Sequence, residues 1–292
     1  MNIEILNSQW SDYELIDSGD RLKLERFGDV VVIRSEPKAW WKPSAPELWK
    51  NADAKHFDEE KKNTHWEFYN RVPAPVMNWE SIKFRTKFMD GTKHLGVFPE
   101  QSPHWQFIKD SAKKFKGEGK PKLLNLFGYT GGATLAAAKG GFLATHVDAS
   151  KPSVDWARKN QEESGLANAP IRWIVDDALK FAKREERRGS VYDAIVLDPP
   201  AFGRGPRNEL WKLEKMLPEM LDVCSKILSK KPMFVLMTLY SIEASSIMAS
   251  NMLSQYFGNR KNAKFECGEL AIKSTKGYDL PLSIYAKVSF DI

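Results

Sequence analysis

Residues Leu123–Gly132, which read Leu-Leu-Asn-Leu-Phe-Gly-Tyr-Thr-Gly-Gly, decide the fold. The apolar stretch Lys122–Phe127 predicts a short buried strand. The glycines after it let the backbone turn tightly and let a ligand approach closely. A helical stretch then runs to Lys139, and its first turn would offer N–H groups to a carboxylate or a phosphate. Taken alone, this Gly-x-x-Gly-Gly pattern fits a plain tight turn equally well.

The next three predicted strands also end in polar residues. Their ends are Asp148, Asp176-Asp177-Ala178 and Asp198-Pro199-Pro200-Ala201-Phe202. Helical stretches separate the strands, and one over Trp211–Leu228 follows the fourth of them. The pattern therefore predicts a mainly parallel sheet, and such sheets bind ligands at the carboxyl ends of their strands. An acid at the position of Asp148 can accept both hydroxyls of a ribose. A carboxylate at the Asp176-Asp177 strand end can accept a hydrogen bond from an adenine amine, and the Ala178 N–H can donate to the ring.

The first third of the chain has a different pattern. Its predicted elements are strands at Tyr13–Ile16, Arg21–Phe27 and Val30–Ile33, a helix from Pro46 to about Asp58, and strands at His65–Asn70 and Ile82–Met89. Short strands around one helix are typical of a small α+β domain. We therefore predict two domains, a strand-strand-helix-strand-strand α+β domain over residues 1–105 and an α/β domain over residues 106–292.

Composition narrows the class of protein. Of the 292 residues, 42% are hydrophobic and 28% are charged, which excludes a disordered chain, a collagen-like fibre and a disulfide-rich toxin. No apolar run approaches the ~20 residues that cross a bilayer, and the first residues do not resemble a signal peptide, so we expect a cytoplasmic protein. Residues 106–292 hold 29 Lys and Arg against 21 Asp and Glu, whereas residues 1–105 hold 15 against 17. This asymmetry favours a polyanionic partner, although it also fits a soluble basic surface.

The glycine turn and the three acidic strand ends, in this order and spacing, resemble the class I S-adenosylmethionine (SAM) methyltransferases. The resemblance implies a Rossmann-like domain that binds SAM along one edge of its sheet. It assigns the methionine part of SAM to the glycine turn, the ribose to the second strand end and the adenine to the third. The implied cofactor residues are Phe127, Gly128, Tyr129, Thr130, Gly131, Asp148, Ala149, Ser150, Asp177, Ala178 and Asp198. Asn125 departs from the pattern, because many such enzymes carry an acid there.

A narrower resemblance is to the bacterial large-subunit ribosomal-RNA methyltransferases. It rests on Leu-Asn-Leu-Phe-x-Tyr-Thr-Gly-Gly, on Asp-Pro-Pro-x-Phe and on the segment Tyr13–Phe27. In that family a strand-strand-helix-strand-strand domain precedes the catalytic domain. The segment Gly96–Gln101 matches a cofactor-covering segment of the family, which adds Phe98 and Gln101 to the predicted cofactor residues. The family often carries an N-terminal PUA RNA-binding domain, and this chain is too short to hold one.

The Asp-Pro-Pro-x-Phe motif is the candidate catalytic element. Asp198, Pro199 and Pro200 together offer a carboxylate and rigidly held carbonyls, which can accept two N–H bonds from a base amine and aim its lone pair at the methyl group. Phe202 can stack on the flat substrate. By itself the motif fits a second interpretation equally well, a rigid loop at the end of the strand in which Asp198 caps a helix. Arg204 and Arg207 follow directly and are predicted to contact RNA phosphates at the mouth of the site.

Other residues give weaker signals. Cys224 and Cys267 are too few for a cysteine zinc site, and the five histidines lack metal-ligand spacing, so no metal is predicted. Cys224 lies in register with buried leucines, and we therefore expect no covalent cysteine mechanism and favour a nitrogen target. Trp40-Trp41 could stack on unpaired bases, although such a pair more often packs in a core.

The sequence thus predicts a SAM-dependent methyltransferase that methylates a base of ribosomal RNA, with RNA as its partner. Two alternatives stay open at this point. The first is a methyltransferase of the same class that acts on a small molecule or a protein. The second is a module that binds SAM or RNA without turnover.

Overall fold

The computed structural model describes residues 3–8, 10–59, 63–240 and 244–290. The chain forms two compact units. The large unit consists of residues 1–6, 104–269 and 283–292, and the small unit consists of residues 7–103 and 270–282. Within the described ranges, no helix is both long enough and apolar enough to cross a membrane.

The two units contain the following elements. The strands are β1 (Ile3–Asn7), β2 (Tyr13–Gly19), β3 (Leu22–Phe27), β4 (Val30–Ser35), β5 (Ala54–Glu59), β6 (Asn63–Phe68), β7 (Val76–Trp79), β8 (Ile82–Arg85), β9 (Lys122–Leu126), β10 (Leu143–Asp148), β11 (Ile171–Val175), β12 (Ala194–Leu197), β13 (Phe202–Arg204), β14 (Leu210–Lys212), β15 (Phe234–Tyr240), β16 (Ala263–Ile272) and β17 (Leu280–Phe290). The α-helices are α1 (Ser102–Ser111), α2 (Gly132–Gly140), α3 (Lys151–Glu163), α4 (Ala178–Arg187), α5 (Leu213–Ile227) and α6 (Ser246–Phe257).

One eight-stranded sheet, in the order β1-β16-β17-β15-β12-β9-β10-β11, organises the large unit. The strands β15, β12, β9, β10 and β11 are parallel to their neighbours, and β17 is antiparallel to β15. The predicted α/β class with a mainly parallel sheet is therefore confirmed. Strand order reverses between β9 and β12, and such a switch point opens a crevice for ligands at the carboxyl ends of the strands.

The core of the large unit surrounds this sheet. All four residues of β12 are buried, as expected for a central strand that is covered on both faces. Helix α5 packs on the sheet through Leu217, Leu221 and Cys224. Cys224 is fully buried, and burial raises the pKa of its thiol to about 12, so it cannot act as a thiolate near neutral pH.

A five-stranded sheet in the order β2-β3-β4-β5-β6 and a β7–β8 hairpin form the small unit. The helix predicted from Pro46 to about Asp58 is wrong in its second half. Only Pro46–Asn51 forms a helical turn, of the 3₁₀ type, and β5 follows it. Strand β5 pairs with β6 along its length and buries Ala54 and His56 alternately, so sheet hydrogen bonds and a period-two burial pattern override the local helical preference.

No single boundary in the sequence separates the two units. Residues 270–282 belong to the small unit, where the N–H of Lys276 donates to the carbonyl of Ile16 at 3.0 Å. The domain limits 1–105 and 106–292 therefore stay a sequence-based prediction.

The small unit also buries a group of charges. Arg34 donates from Nε and Nη2 to the Glu25 carboxylate at 2.6 and 2.7 Å, and Lys23 lies 3.4 Å from the same carboxylate. The Tyr13 hydroxyl donates to Glu25 at 2.7 Å. Burial acts to raise the pKa of Glu25, but Arg34 and Lys23 outweigh it and lower the pKa to about 2. Glu25 is therefore ionised and fully paired inside the unit.

Candidate active site

The turn after β9 has an unusual backbone. Phe127 and Tyr129 adopt positive φ angles of 61° and 48°, and Gly131 has a φ of 94°. Only glycine adopts such angles without steric cost, so the two aromatic residues must be held in place by their surroundings. The Gly128 N–H donates to the carbonyl of Val147 at 3.0 Å, which ties the turn to β10. Gly131 then caps α2, so the start of that helix directly follows the turn.

A network of three buried polar side chains packs against this turn. Asn125 Nδ2 donates to Thr134 Oγ1 at 2.8 Å, and Thr134 Oγ1 lies 2.8 Å from His146 Nδ1. His146 is fully buried, and burial lowers its pKa to about 3, so the ring is neutral. A neutral amide at Asn125 suits this neutral environment better than an ionised acid would. The role of His146 was not predicted, and its position within a buried strand gave only a packing signal.

The Asp148 carboxylate lies at the end of β10 beside the same turn. Its Oδ2 accepts the Tyr129 N–H and its Oδ1 accepts the Ser150 N–H, both at 2.8 Å. Burial raises the pKa of Asp148, although both hydrogen bonds act to lower it. Ser150 caps α3 by accepting the Ser153 N–H, and Ala149 lies half-buried between the two. The Asp148 carboxylate is thus rigidly held, and each oxygen keeps a further lone pair for a hydroxyl donor.

Asp177 follows β11 and caps α4. Its Oδ1 accepts the Lys180 N–H at 2.8 Å, and both Asp177 and Ala178 are buried. The capping hydrogen bond uses Oδ1, and Oδ2 takes no part in it. The N–H of the neighbouring Asp176 donates to the carbonyl of Asp148 at 3.0 Å, which brings the ends of β10 and β11 together.

The Asp198 loop begins at the end of β12, next to β9. The Asp198 N–H donates to the carbonyl of Leu126 at 3.4 Å. Trp211 Nε1 donates to the carbonyl of Pro200 at 2.7 Å, and the Trp211 ring contacts Phe127 with centroids 4.9 Å apart. Trp211 therefore joins the Asp198 loop to the glycine turn. The sequence placed it in a helix over Trp211–Leu228, but α5 begins only at Leu213 because Trp211 pairs in a hairpin.

That hairpin, β13–β14, was not predicted. Phe202 pairs with Lys212 and Arg204 pairs with Leu210, and these four residues share one exposed face because cross-strand partners point to the same side. Phe202 is 55% exposed and Leu210 is 45% exposed. Gly203 and the buried Trp211 occupy the opposite face.

The cations of the hairpin differ from those of α4. In the part of the chain that the structure describes, Arg204, Arg207 and Lys212 have no carboxylate partner, and Arg204 donates to the neutral Asn208 Oδ1 at 2.7 Å. By contrast, the basic run of α4 is largely paired. Its pairs are Lys180–Glu209, Lys183–Glu219, Arg184–Asp176 and Arg188–Glu185. The hairpin, rather than α4, offers positive charge to a partner.

The structure brings most predicted site residues together. Strand register places the ends of β9, β10, β11 and β12 side by side, so the glycine turn, Asp148, Asp177 and Asp198 share one edge. Phe98 and Gln101 lie instead in the small unit, where Phe98 contacts His94 and accepts the Gln101 N–H at its carbonyl. Among the described residues, no group of three or more His, Cys, Asp or Glu could hold a metal ion.

A solved structure matches nearly the whole chain. The SAM-dependent methyltransferase from Agrobacterium tumefaciens is 41% identical, with a TM-score of 0.92, and the match covers 99% of this chain and 94% of that one. The chain belongs to the SAM-dependent methyltransferases. It is accordingly an enzyme that uses SAM as its methyl donor. The methyltransferase also shares its fold with SMU.776, whose structure is complexed with SAH, at a TM-score of 0.73 and 19% identity over 96% of this chain and 76% of that one.

Curated relatives match the methyltransferase over shorter segments. The ribosomal RNA large subunit methyltransferase K/L of Shewanella frigidimarina is 34% identical over 166 residues, which are 55% of this chain and 22% of the relative. The ribosomal RNA large subunit methyltransferase I of Pseudoalteromonas translucida is 33% identical over 136 residues, which are 46% of this chain and 32% of the relative. The chain therefore spans less than a third of the length of these relatives. No family model matches the sequence.

Proposed function

We propose that this methyltransferase methylates a nitrogen of a base in ribosomal RNA. One observation carries the proposal: the Asp198 loop continues directly into a hairpin that exposes an aromatic ring and unpaired cations. A flat base and its phosphates are the ligands that such a surface suits. The two curated relatives named above are both ribosomal-RNA methyltransferases, which supports the same substrate class. We also propose a cytoplasmic location, where ribosomal RNA is available to the enzyme.

The residues at the sheet edge fit the cofactor. SAM supplies, when bound, a methyl group on a positively charged sulfur. The two oxygens of Asp148, each already fixed by one N–H, can accept the ribose hydroxyls. Asp177 and Ala178 offer an acceptor and a donor to the adenine edge. The proposed remaining contacts in the large unit come from Phe127–Gly131, and the assignment of Phe98 and Gln101 stays a prediction from the sequence.

Asp198 and the carbonyl that follows it would orient the target nitrogen. The Pro200 carbonyl already accepts the Trp211 N–H, which leaves the Pro199 carbonyl as the backbone acceptor beside the Asp198 carboxylate. These two groups can accept two N–H bonds from a base amine and so hold its lone pair in line with the methyl group. Positioning of this kind can remove up to ~7–11 kcal/mol from a reaction barrier in favourable cases.

The hairpin would hold the rest of the substrate. Phe202 can stack on the extruded base, since a base inside a duplex must be flipped or already unpaired before its amine is reachable. Arg204 and Arg207 can contact the neighbouring phosphates. These contacts require no covalent bond to the enzyme, consistent with the burial of Cys224 and Cys267.

The test compares ribosomal RNA from cells with and without the gene. Mass mapping should reveal one methylated nucleotide that is absent without the gene, and fragmentation should place the methyl group on a nitrogen. Purified protein with labelled SAM should restore the modification on RNA from the deficient cells. If the label enters protein or small metabolites and leaves RNA unlabelled, the RNA assignment is wrong and the enzyme acts on another substrate class.

A further inference from the structure

The small unit carries exposed aromatic residues that the proposed methyl transfer does not use. Trp40 is 78% exposed and Tyr278 is 62% exposed, although large rings are usually mostly buried. The half-buried ring of Trp41 meets the Tyr278 ring edge-on, with centroids 5.8 Å apart. We call Trp40, Trp41 and Tyr278 the aromatic platform. Trp40 thus lies at the surface rather than in a core.

The backbone under the aromatic platform is firmly held. The N–H groups of Asp20 and Arg21, in the turn between β2 and β3, donate to the carbonyls of Trp41 and Ala39, both at 2.7 Å. Trp41 Nε1 donates to the carbonyl of Ser18 at 2.9 Å. Rings on a fixed backbone lose little conformational freedom when a ligand binds, which favours binding.

The chain segments that carry the aromatic platform are rich in lysine. The two segments that carry its rings, Pro37–Pro43 and Lys273–Asp279, hold four lysines and one acidic residue. The small unit as a whole holds 17 Lys and Arg and 17 Asp and Glu, so the basic excess is local. Lys42 pairs with Asp20 at 2.8 Å, whereas within the described ranges Arg21 and Lys276 have no carboxylate partner. Free cations beside exposed rings complement a chain of phosphates and bases.

We propose that the aromatic platform binds an unpaired segment of the RNA substrate, with bases stacked on Trp40 and Tyr278 and phosphates near Arg21 and Lys276. The proposal rests on the proposed RNA function and adds a second contact with the same substrate. This contact uses none of the residues that hold SAM or the target base. It should therefore set the affinity for RNA and leave the chemical step unchanged.

The experiment measures binding of a short labelled single-stranded RNA and methylation of RNA from gene-deficient cells. Trp40→Ala should weaken RNA binding about 5- to 100-fold, the usual effect of losing one stacked base. It should raise KM for RNA without changing kcat or SAM affinity. Trp40→Phe should restore binding, and Trp40→Leu should not, because leucine is apolar but cannot stack. Arg21→Ser should reduce the slope of log affinity against log salt by about 1.

A matched control is Tyr69→Ala, which removes another exposed aromatic side chain of the small unit, 49% exposed. It should bind RNA as the wild type does.

If the wild type methylates RNA and Trp40→Ala binds and methylates RNA equally well, the platform proposal is wrong and the proposed function stands. If the wild type methylates no RNA but Trp40→Ala loses single-strand binding, the proposed function is wrong, and the platform binds single-stranded RNA that is not a substrate. If the wild type neither binds nor methylates RNA, both are wrong. A defect of Trp40→Ala confined to assembled ribosomal particles would show that the platform contacts protein, which also overturns the proposal.

Discussion

Gly128 in the glycine turn lies directly against the ring of His146. A Cβ atom at Gly128 would lie 2.4 Å from His146 Cε1 and 2.5 Å from Nδ1, distances that real contacts do not reach. The glycine is therefore needed for packing against β10, and the turn and the buried Asn125–Thr134–His146 chain form one structure.

This contact predicts the effect of Gly128→Ala. The added methyl group must displace either the turn or His146, and overpacking of this kind costs about 1–3 kcal/mol of stability. Because Phe127 and Tyr129, on either side of Gly128, belong to the proposed cofactor site, SAM affinity should fall as well. Calorimetric titration with SAM and urea unfolding measure the two effects. The double variant Gly128→Ala/His146→Ala should recover part of the loss, and strictly additive effects would contradict direct contact.

Asp148 predicts a pH dependence of cofactor binding. Its pKa lies above the ordinary value of 3.8 because the carboxyl is buried. In the proposed site the ionised form accepts the ribose hydroxyls, so SAM affinity should be highest above the raised pKa and should fall as the pH drops through it. Titration calorimetry over a pH series measures this change. Asp148→Asn should lower affinity about 10- to 100-fold, since hydrogen bonds to charged groups contribute ~1.5–3 kcal/mol. The SAM affinity of Asp148→Asn should not fall over the same pH range. If it falls as much as that of the wild type, another group is responsible for the titration.

The Asp198 carboxylate should control the chemical step. Asp198→Ala removes the proposed acceptor for the target amine and should lower kcat about 100-fold or more, as loss of one well-placed polar group does in other enzymes. Asp198→Asn keeps an amide oxygen and should lose less. Single-turnover methylation with saturating SAM and RNA separates the step from binding. If Asp198→Ala leaves kcat unchanged, Asp198 has only a structural role at the end of β12.

Trp211 should act as a positioning residue for the Asp198 loop. Trp211→Phe keeps a ring against Phe127 but removes the N–H bond to the Pro200 carbonyl, a loss of about 0.5–1.5 kcal/mol in stability. We expect kcat to fall although the variant stays folded, because the Asp198 loop is less firmly held. KM for SAM should change little. Trp66→Phe provides the control, since the Trp66 indole donates to the Thr92 carbonyl within the small unit. Equal kcat values for the two variants would contradict the positioning role.

The buried Glu25 predicts an acid sensitivity of the small unit. Since its pKa is lowered from 4.5 to about 2, the unfolded chain binds the proton more readily than the folded one. The stabilisation is present above pH 4.5 and is lost as the pH falls towards 2. Glu25→Gln leaves Arg34 without a carboxylate and should cost about 3–5 kcal/mol near neutral pH, with a smaller difference in acid. Glu14→Gln, which breaks a partly exposed pair with Arg26, should cost about 0–1 kcal/mol. Urea unfolding at several pH values measures both, and equal losses would contradict the prediction.

Local signals were sufficient for the parallel sheet and its polar edge. Apolar runs followed by glycine or aspartate mark where each central strand ends, and parallel strands must place these ends at one edge. The glycine turn, Asp148, Asp177 and Asp198 could therefore be predicted as neighbours. The same reasoning failed for β5 and for the start of α5, where hydrogen bonding to the adjacent strand of a hairpin overrides the local helical preference.

The sequence by itself determined the alternation of strands and helices, the acidic strand ends and the order in which they occur, because each depends on residues close together in the chain. Only the tertiary structure decided which side chains support them. His146 under Gly128, Trp211 on the Pro200 carbonyl and the exposure of Trp40 all depend on segments brought together by folding. Burial and hydrogen-bond partners are properties of that packing, and no local pattern of residues encodes them.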